Sequence, residues 1–140
     1  MSVPLLAGMA TVAAYYHLPP RVLPSIQAVE RGAIGTVHTN VNGSQDLGLM
    51  QVNTRWVVRL ADVARISPVL VRLRLIYDGC FSIAAAGAIM RTYLDESHGD
   101  LMRAVGYYHS HTPDLNVDYQ DKVLASAYRL FGVARDYPRK

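Results

Sequence analysis

The residue best suited to acid–base chemistry is Glu30, at the end of an apolar helical run and directly before a glycine-bearing polar loop. The chain has one other glutamate, Glu96. A carboxylic acid with apolar residues on one side and a loop on the other can keep its proton near neutral pH. A carboxylate near a helix C-terminus is also disfavoured by the helix dipole. The placement therefore strengthens the case for a functional acid, and an ordinary surface glutamate is the alternative.

A second set of polar residues follows in the loop and in the helix predicted after it. We expect this helix to begin near Leu47, with Asp46 as its N-terminal cap. Gln51 would then be an amide on a helix that packs beside Glu30, able to hydrogen-bond a sugar hydroxyl or acetamido group. Because Asp46 is assigned as a cap, no second carboxylate is close in sequence. The two-carboxylate scheme of most glycosidases therefore need not apply.

A third cluster, Tyr107 to His111, lies at a predicted helix end and turn. The phenol of Tyr108 can stack on a sugar and also form a hydrogen bond. His109 and His111 lack a supporting Cys, Asp or His at a metal-binding spacing, so we interpret them as turn residues and predict no metal site. Cys80, the single cysteine, excludes an intrachain disulfide, and its apolar surroundings predict a small buried side chain. No cofactor is predicted.

The composition predicts one domain with one hydrophobic core, spanning residues 1–140. Half of the 140 residues are hydrophobic and the net charge is +3, which argues against disorder. The basic residues are scattered, so we expect no nucleic-acid partner. The first twenty residues carry no Lys or Asp but soon reach Pro19 and Pro20, which predicts a first helix rather than a signal peptide or membrane span.

Helical periodicity and breakers predict an all-α fold of about seven helices, with no sustained strand alternation. The most apolar helix, residues 80–96, is rich in Ala and Gly and is expected to be the central core helix. The predicted segments are helices at 2–17, about 20–31, 47 to about 60, 67–78, 80–96, 100–108 and 114–134, a long loop at 32–46 and a turn at 109–113. In the last helix we expect Val117, Val123, Leu124, Tyr128 and Phe131 to be buried.

The order of these features resembles the lytic transglycosylase domain, of the SLT, goose-lysozyme-like family. The matching features are Glu30, the block NGSQDLGLMQVNTRW, the helix CFSIAAAGAIM, and the YYHS turn followed by Tyr119 and Val123. The resemblance spans about residues 18–132, and the block from Gly43 to Trp56 is its most specific part. It is strongest to small members that serve type III and type IV secretion, conjugation and pilus systems.

The resemblance implies a lysozyme-like domain with a cleft for the glycan strands of peptidoglycan, acting in the periplasm. It implies cleavage of the β-1,4 bond between N-acetylmuramic acid and N-acetylglucosamine without water, which leaves a 1,6-anhydro end. Glu30 matches the single catalytic glutamate. The residues expected to bind substrate are Gln51, Tyr108, Met50, Gly48, Ser44 and His109. One alternative is a lysozyme-type hydrolase, for which Asp46 is the only nearby carboxylate that could activate water. The other is a non-catalytic wall-binding or partner-binding domain.

Three positions depart from the family pattern. Arg31 follows the catalytic glutamate where the family commonly has serine, and His111 replaces the glycine of the family's Ala-Tyr-Asn-x-Gly turn. Secretion-associated members often carry a cysteine in the first helix that could pair with the one at Cys80. Residues 9–16 contain none here, so Cys80 is expected to be a free thiol.

Overall fold

Seven α-helices account for most of residues 3–132, the part of the chain that this computed structural model describes. They are α1 Leu6–Tyr15, α2 Val22–Glu30, α3 Val57–Ala64, α4 Pro68–Tyr77, α5 Gly79–Glu96, α6 Leu101–His109 and α7 Pro113–Phe131. The prediction of an all-α fold with about seven helices is therefore confirmed.

Side-chain caps start three of these helices where the sequence contains a turn signal. Ser67 Oγ accepts a hydrogen bond from the backbone N–H of Leu70, and Pro68 occupies the first turn of α4. Asp78 caps α5 and Asp100 caps α6 in the same way. These acceptors satisfy backbone donors that have no partner inside the helix. The starts of α4, α5 and α6 were consequently predicted to within a residue or two.

Helix α5 lies at the centre of the hydrophobic core and packs against α1, α2, α4 and α6. Ile83, Ala86 and Met90 on this helix are fully buried. A Cβ at Gly87 would overlap the side chain of Val12 on α1, so only glycine permits this close approach. The predicted role of the small residues in α5 is confirmed.

A small antiparallel sheet replaces the loop that the sequence predicted over residues 32–46. It consists of β1 Val37–Thr39, β2 Gln45–Leu47 and β3 Val52–Asn53, in that order. The helix predicted to start near Leu47 is absent, since the chain turns back there and continues as β3 and a 3-10 helix, Thr54–Trp56. Strands of two or three residues are too short to show alternation, which explains the wrong prediction.

Asp46 is therefore a strand residue and not a helix cap. Its partner across the sheet is Asn53, whose Nδ2 donates to Asp46 Oδ1 at 2.9 Å. The capping role belongs to Asn53 itself, because its Oδ1 accepts from the backbone N–H of Arg55 at the start of the 3-10 helix. The correction leaves the Asp46 carboxylate available to the neighbouring cleft.

Three further predictions about the helices are corrected by the structure. Cys80 is exposed, because it lies in the first turn of α5 while Ser82 and Ile83 of the same turn face the core. Helix α1 is shorter than predicted.

On α7, Val123 is buried as predicted, whereas the inward face otherwise consists of side chains that carry a polar group. The buried α7 residues are Asn116, Tyr119, Val123 and Ser126; Val117, Leu124 and Tyr128 are exposed and Phe131 is half-buried. Residue 134, the predicted end of α7, lies outside the described residues.

Between residues 3 and 132, no single helix combines the length and the apolar composition that a membrane crossing requires. Helices α4 and α5 together reach that length and composition, but they meet at a bend of 109°.

Candidate functional site

Glu30 is the last residue of α2, and its position is fixed by close backbone packing. Arg31 ends the helix in the left-handed conformation, with φ 55° and its N–H bonded to the carbonyl of Gln27. Gly32 then packs against the backbone carbonyls of Gly48 and Leu49, which any Cβ at this position would overlap. The C-terminus of α2 is thereby held against the turn between β2 and β3.

The nearest polar partner of Glu30 comes from α7, at the far end of the sequence. The phenol of Tyr119 donates a hydrogen bond to Glu30 Oε2, with an oxygen–oxygen distance of 2.6 Å. Tyr119 is only 4% exposed, and its ring stacks on the imidazole of His109 with a centroid distance of 5.1 Å. The packing of α2 against α7 therefore provides Glu30 with one strong, directed donor.

The pKa of Glu30 is raised from its ordinary value of 4.5 to about 7. The main cause is burial, because a carboxylate loses most of its hydration against the apolar end of α2. The nearby negative charge of Asp46 raises this pKa further. The hydrogen bond from Tyr119 and the positive charge of Lys122 lower it, since both stabilise the carboxylate. Near neutral pH, Glu30 can therefore both donate and accept a proton.

Tyr108, at the C-terminal end of α6, lies beside this acid. Its hydroxyl donates to the backbone carbonyl of Met50 at 2.8 Å. Burial raises the pKa of Tyr108 well above 10, and the adjacent charge of Glu30 adds to the effect. The phenol therefore stays neutral at physiological pH. Because its proton is used on Met50, its oxygen can still accept a hydrogen bond from a ligand.

These side chains meet in a cleft of about 220 Å³ with predominantly polar walls. The wall formed by the sheet is an internally bonded network around Ser44. Ser44 Oγ donates to Asn42 Oδ1 at 2.7 Å and accepts from the amides of Asn40 and Asn53. The complete lining is Glu30, Asn40, Asn42, Ser44, Asp46, Gln51, Val52, Asn53, Arg55, Trp56, Ile89, Tyr108 and His109. Such a dense set of amides and hydroxyls suits a polyhydroxylated ligand.

Gln51 lies in this lining but not on a helix, as the sequence had predicted. It occupies the tight turn before β3 with φ 52°, a conformation uncommon outside glycine. Its Nε2 donates to the carbonyl of Gly48 at 2.9 Å and approaches Thr36 Oγ1 at 3.4 Å. These bonds support the turn and hold the amide group at the edge of the cleft.

Five of the seven predicted site residues line this one cleft: Glu30, Gln51, Tyr108, Ser44 and His109. Met50 and Gly48 are not in its lining. The Met50 side chain is fully buried, and this residue supports the site through the carbonyl that Tyr108 binds. Gly48 is buried against the backbone of Leu75. The binding roles of all seven residues stay predictions.

Sequence reasoning assigned no site role to Tyr119, and it considered Asp46 only as the carboxylate that would activate water in a hydrolase. A tyrosine on the buried face of a helix needs a partner for its hydroxyl, which is the signal that Tyr119 carried. Asp46 was left out of the transglycosylase site because it was assigned as a helix cap. Both residues act on the protonation of Glu30.

The histidines of the α6–α7 connection point to different neighbours. His109 stacks on Tyr119, while His111 stacks on Tyr107 with a centroid distance of 4.0 Å and pairs with Glu96. Over residues 3–132 no three His, Cys, Asp or Glu side chains come together in a group that could hold a metal ion.

Comparison with known proteins gives a distant relative over most of the chain. The chain is 29% identical over 117 residues to invasion protein IagB of Salmonella typhimurium, in strains SL1344 and LT2 alike. The alignment covers 81% of this chain and 68% of the Salmonella protein. No model of a known protein family matches the chain.

Proposed function

We propose that this protein is a peptidoglycan lytic transglycosylase that cleaves the β-1,4 bond between N-acetylmuramic acid and N-acetylglucosamine without water. The observation that carries the proposal is the raised pKa of Glu30, which lies in a polar cleft. A buried carboxyl group with a pKa of about 7 and one tyrosine donor is matched to two successive proton transfers. The resemblance of the sequence to the transglycosylase family supports the same reaction.

In the first step, protonated Glu30 gives its proton to the glycosidic oxygen as the bond from that oxygen to the anomeric carbon breaks. The N-acetylglucosamine unit leaves with a new hydroxyl group. Burial favours this step, because it keeps Glu30 protonated near neutral pH. As the family resemblance implies, the 2-acetamido group of the muramoyl sugar stabilises the positive charge left at the anomeric carbon.

In the second step, the Glu30 carboxylate removes the proton from the 6-hydroxyl of the muramoyl sugar. The freed oxygen attacks the anomeric carbon, so the 1,6-anhydro ring closes and Glu30 regains the proton that it gave. Between the steps the carboxylate accepts the hydrogen bond from Tyr119, which stabilises the charged form. No water is consumed and no second carboxylate is required.

The cleft residues around Glu30 can bind the sugars on either side of the reacting bond. Tyr108 offers an acceptor oxygen next to the acid, and the amide of Gln51 lies in the lining of the same cleft. The network around Ser44 offers further donors and acceptors for hydroxyl and acetamido groups. Arg31 is exposed and outside the lining, so its difference from the family pattern leaves the cleft unchanged.

The biological setting belongs to the same proposal. The distant relative is named an invasion protein, and the sequence resembles transglycosylases that serve secretion, conjugation and pilus systems. We expect the enzyme to act on wall glycan in the periplasm and to open it locally for such an apparatus.

Digestion of purified peptidoglycan by the wild-type protein and by Glu30→Gln tests the proposal, with the products identified by mass spectrometry. The wild type should release muropeptides with 1,6-anhydro ends, and Glu30→Gln should release none while unfolding at a temperature no lower than that of the wild type. Full activity in Glu30→Gln would refute the role of this residue. Glycan binding without any product from the wild-type protein would instead favour the non-catalytic alternative.

A second candidate is hydrolysis of the same bond, and the position of Asp46 favours it. This carboxylate lines the cleft with Glu30 and is close enough to raise its pKa. Most glycoside hydrolases use two carboxyl groups that face one sugar-binding cleft. A hydrolase leaves reducing ends in place of anhydro ends, so the same mass spectra distinguish the two reactions.

A further inference from the structure

A second cavity, of about 340 Å³, opens beside the catalytic cleft and shares two of its lining residues, Arg55 and Trp56. We infer that this cavity binds a carboxylate of the peptide that peptidoglycan carries on its muramoyl sugars, so that the enzyme prefers peptide-bearing glycan to bare glycan. The inference rests on the proposed function. We call this cavity the arginine pocket; its lining is Arg55, Trp56, Arg59, Thr92, Tyr93, Glu96 and His111.

Two guanidinium groups form one side of the arginine pocket. Arg55 and Arg59 are four residues apart across the junction of the 3-10 helix and α3, a spacing that brings side chains to the same helix face. Both side chains are exposed. Across residues 3–132 neither guanidinium forms a salt bridge with a carboxylate. Their positive charge is therefore available to an anion.

Aromatic side chains hold both guanidinium groups in place. Arg55 Nη2 donates to the hydroxyl of Tyr93 at 2.9 Å. The guanidinium of Arg59 lies over the ring of Trp56 at 4.7 Å from its centroid, and Trp56 meets Tyr93 edge-on at 5.6 Å. An arginine whose side chain is already ordered loses less entropy on binding a ligand. This arrangement suits recognition of a planar carboxylate.

The arginine pocket also contains an acidic residue, which forms no salt bridge with either arginine. Its one carboxylate, Glu96, is bound to His111 Nε2 at 2.7 Å. His111 is itself stacked on Tyr107. Glu96 is thus paired with His111 and not with an arginine, and the pocket lining contains both cationic and anionic groups. A peptide that carries both carboxylate and ammonium groups matches this polarity.

The arginine pocket adjoins the catalytic cleft, so a substrate bound in the cleft could also contact the pocket. A glycan in the cleft would carry its peptide on the lactyl ether of each muramoyl sugar, and the shared residues Arg55 and Trp56 lie where the two cavities meet. A carboxylate bound there would add affinity to peptide-bearing substrate alone. Peptide-free strands would lack this contact.

The test compares cleavage of peptide-bearing glycan with cleavage of the same glycan after amidase removal of the peptides. For the wild type we expect kcat/KM to be about tenfold higher on the peptide-bearing substrate, mainly through KM, which corresponds to about 1.4 kcal/mol from the carboxylate contact. In Arg55→Gln/Arg59→Gln the ratio should fall towards one. Arg129→Gln, which removes an exposed charge on α7, should keep the wild-type ratio.

A second measurement separates charge recognition from damage to the fold. Arg55→Lys/Arg59→Lys keeps both positive charges but not the planar fork, and should regain part of the preference. Melting temperatures identify any variant that is merely unfolded. Equal cleavage of both substrates by the wild type would overturn this inference and leave the transglycosylase proposal intact. A wild type that cleaves neither substrate would contradict the proposed function itself.

Discussion

Tyr119 and Glu30 are 89 residues apart in sequence, yet the phenol of one donates to the carboxyl of the other at 2.6 Å. The contact joins α7 to the end of α2, and these two helices pack against each other. Burial and this hydrogen bond act on the pKa of Glu30 in opposite directions. Burial is the larger of the two effects, so the pKa stays raised at about 7 although the hydrogen bond opposes the rise.

The first prediction concerns Tyr119→Phe. The change removes the donor that stabilises the Glu30 carboxylate, so the pKa of Glu30 should rise above its value of about 7. A hydrogen bond to a charged group contributes about 1.5–3 kcal/mol. Its loss corresponds to a rise in the pKa of Glu30 of about 1 or more. The alkaline limb of the pH profile of kcat/KM should move upward by a similar amount, because the acid then keeps its proton at higher pH.

The matched control is Tyr128→Phe, which removes a phenol from the exposed side of the same helix. This variant should keep the wild-type pH profile. If Tyr119→Phe reduces activity equally at every pH, Tyr119 supports the fold or the substrate but does not adjust the acid.

The second prediction is a pH dependence of stability that originates at Glu30. Its pKa is 4.5 when unperturbed and about 7 in the folded protein, so between these values the folded state binds a proton that the unfolded state has released. Glu30 therefore makes its full contribution to the free energy of unfolding below pH 4.5. This contribution is lost as the pH rises through 7. The loss is about 3 kcal/mol.

Chemical denaturation of the wild type and Glu30→Gln at several pH values isolates this contribution, because the other titrating groups cancel in the difference. The wild type should lose free energy of unfolding relative to Glu30→Gln between pH 4.5 and 8. Asp62→Asn, at an exposed position on α3, must not reproduce that slope. A constant difference between wild type and Glu30→Gln across the range would show that the folded-state pKa of Glu30 is ordinary.

Local sequence signals predicted the helices well and the sheet poorly, for a physical reason. Ser67, Asp78 and Asp100 mark helix starts through bonds to residues three positions away, so the information is contained in a short window. The strands at β2 and β3 have only two or three residues, and their pairing depends on Gly48 and Gln51 both adopting positive φ. Nothing in a glutamine signals that conformation.

Within the site, too, local signals were predictable from the sequence and long-range contacts were not. Glu30 could be placed at the edge of a buried face from the periodicity of α2 alone. The positions of Tyr119 and Asp46 beside it depend on how α7 and the sheet pack on α2, and these contacts connect distant parts of the chain. The local sequence pattern was sufficient to predict Glu30 as the catalytic residue. It was not sufficient to predict the groups that adjust the pKa of Glu30.

The third prediction is that Asp46→Asn has the opposite effect to Tyr119→Phe. The negative charge of Asp46 raises the pKa of Glu30, so its removal should lower that pKa and move the alkaline limb of kcat/KM to lower pH. Asparagine can still accept the hydrogen bond that Asn53 donates to this position. The local structure should therefore be kept.

Product analysis of Asp46→Asn also separates the two proposed reactions. A transglycosylase should still yield anhydro ends, at a rate that follows the new pH profile. If the wild type yields reducing ends and Asp46→Asn loses them, Asp46 activates water and the reaction is hydrolysis. Asp62→Asn again controls for the loss of one negative charge.

The fourth prediction tests the backbone packing that holds the sheet beside Glu30. Gly48 and Gly43 both adopt positive φ, 68° and 87°, but a Cβ at Gly48 would overlap the carbonyl of Leu75, while a Cβ at Gly43 would meet nothing within 4 Å. Gly43→Ala should cost about 1–2 kcal/mol of conformational strain alone. Gly48→Ala should cost that strain plus about 1–3 kcal/mol for overpacking.

Denaturant unfolding of both variants measures the difference, and Gly48→Ala should be the less stable by at least about 1 kcal/mol. Its activity should also fall, because the carbonyl of Gly48 binds the Gln51 amide at the edge of the cleft. Equal stability of the two variants would mean that the turn before β3 can move away from α4 at no cost. The cleft wall would then be adaptable, and the position of Gln51 would have to be set by substrate.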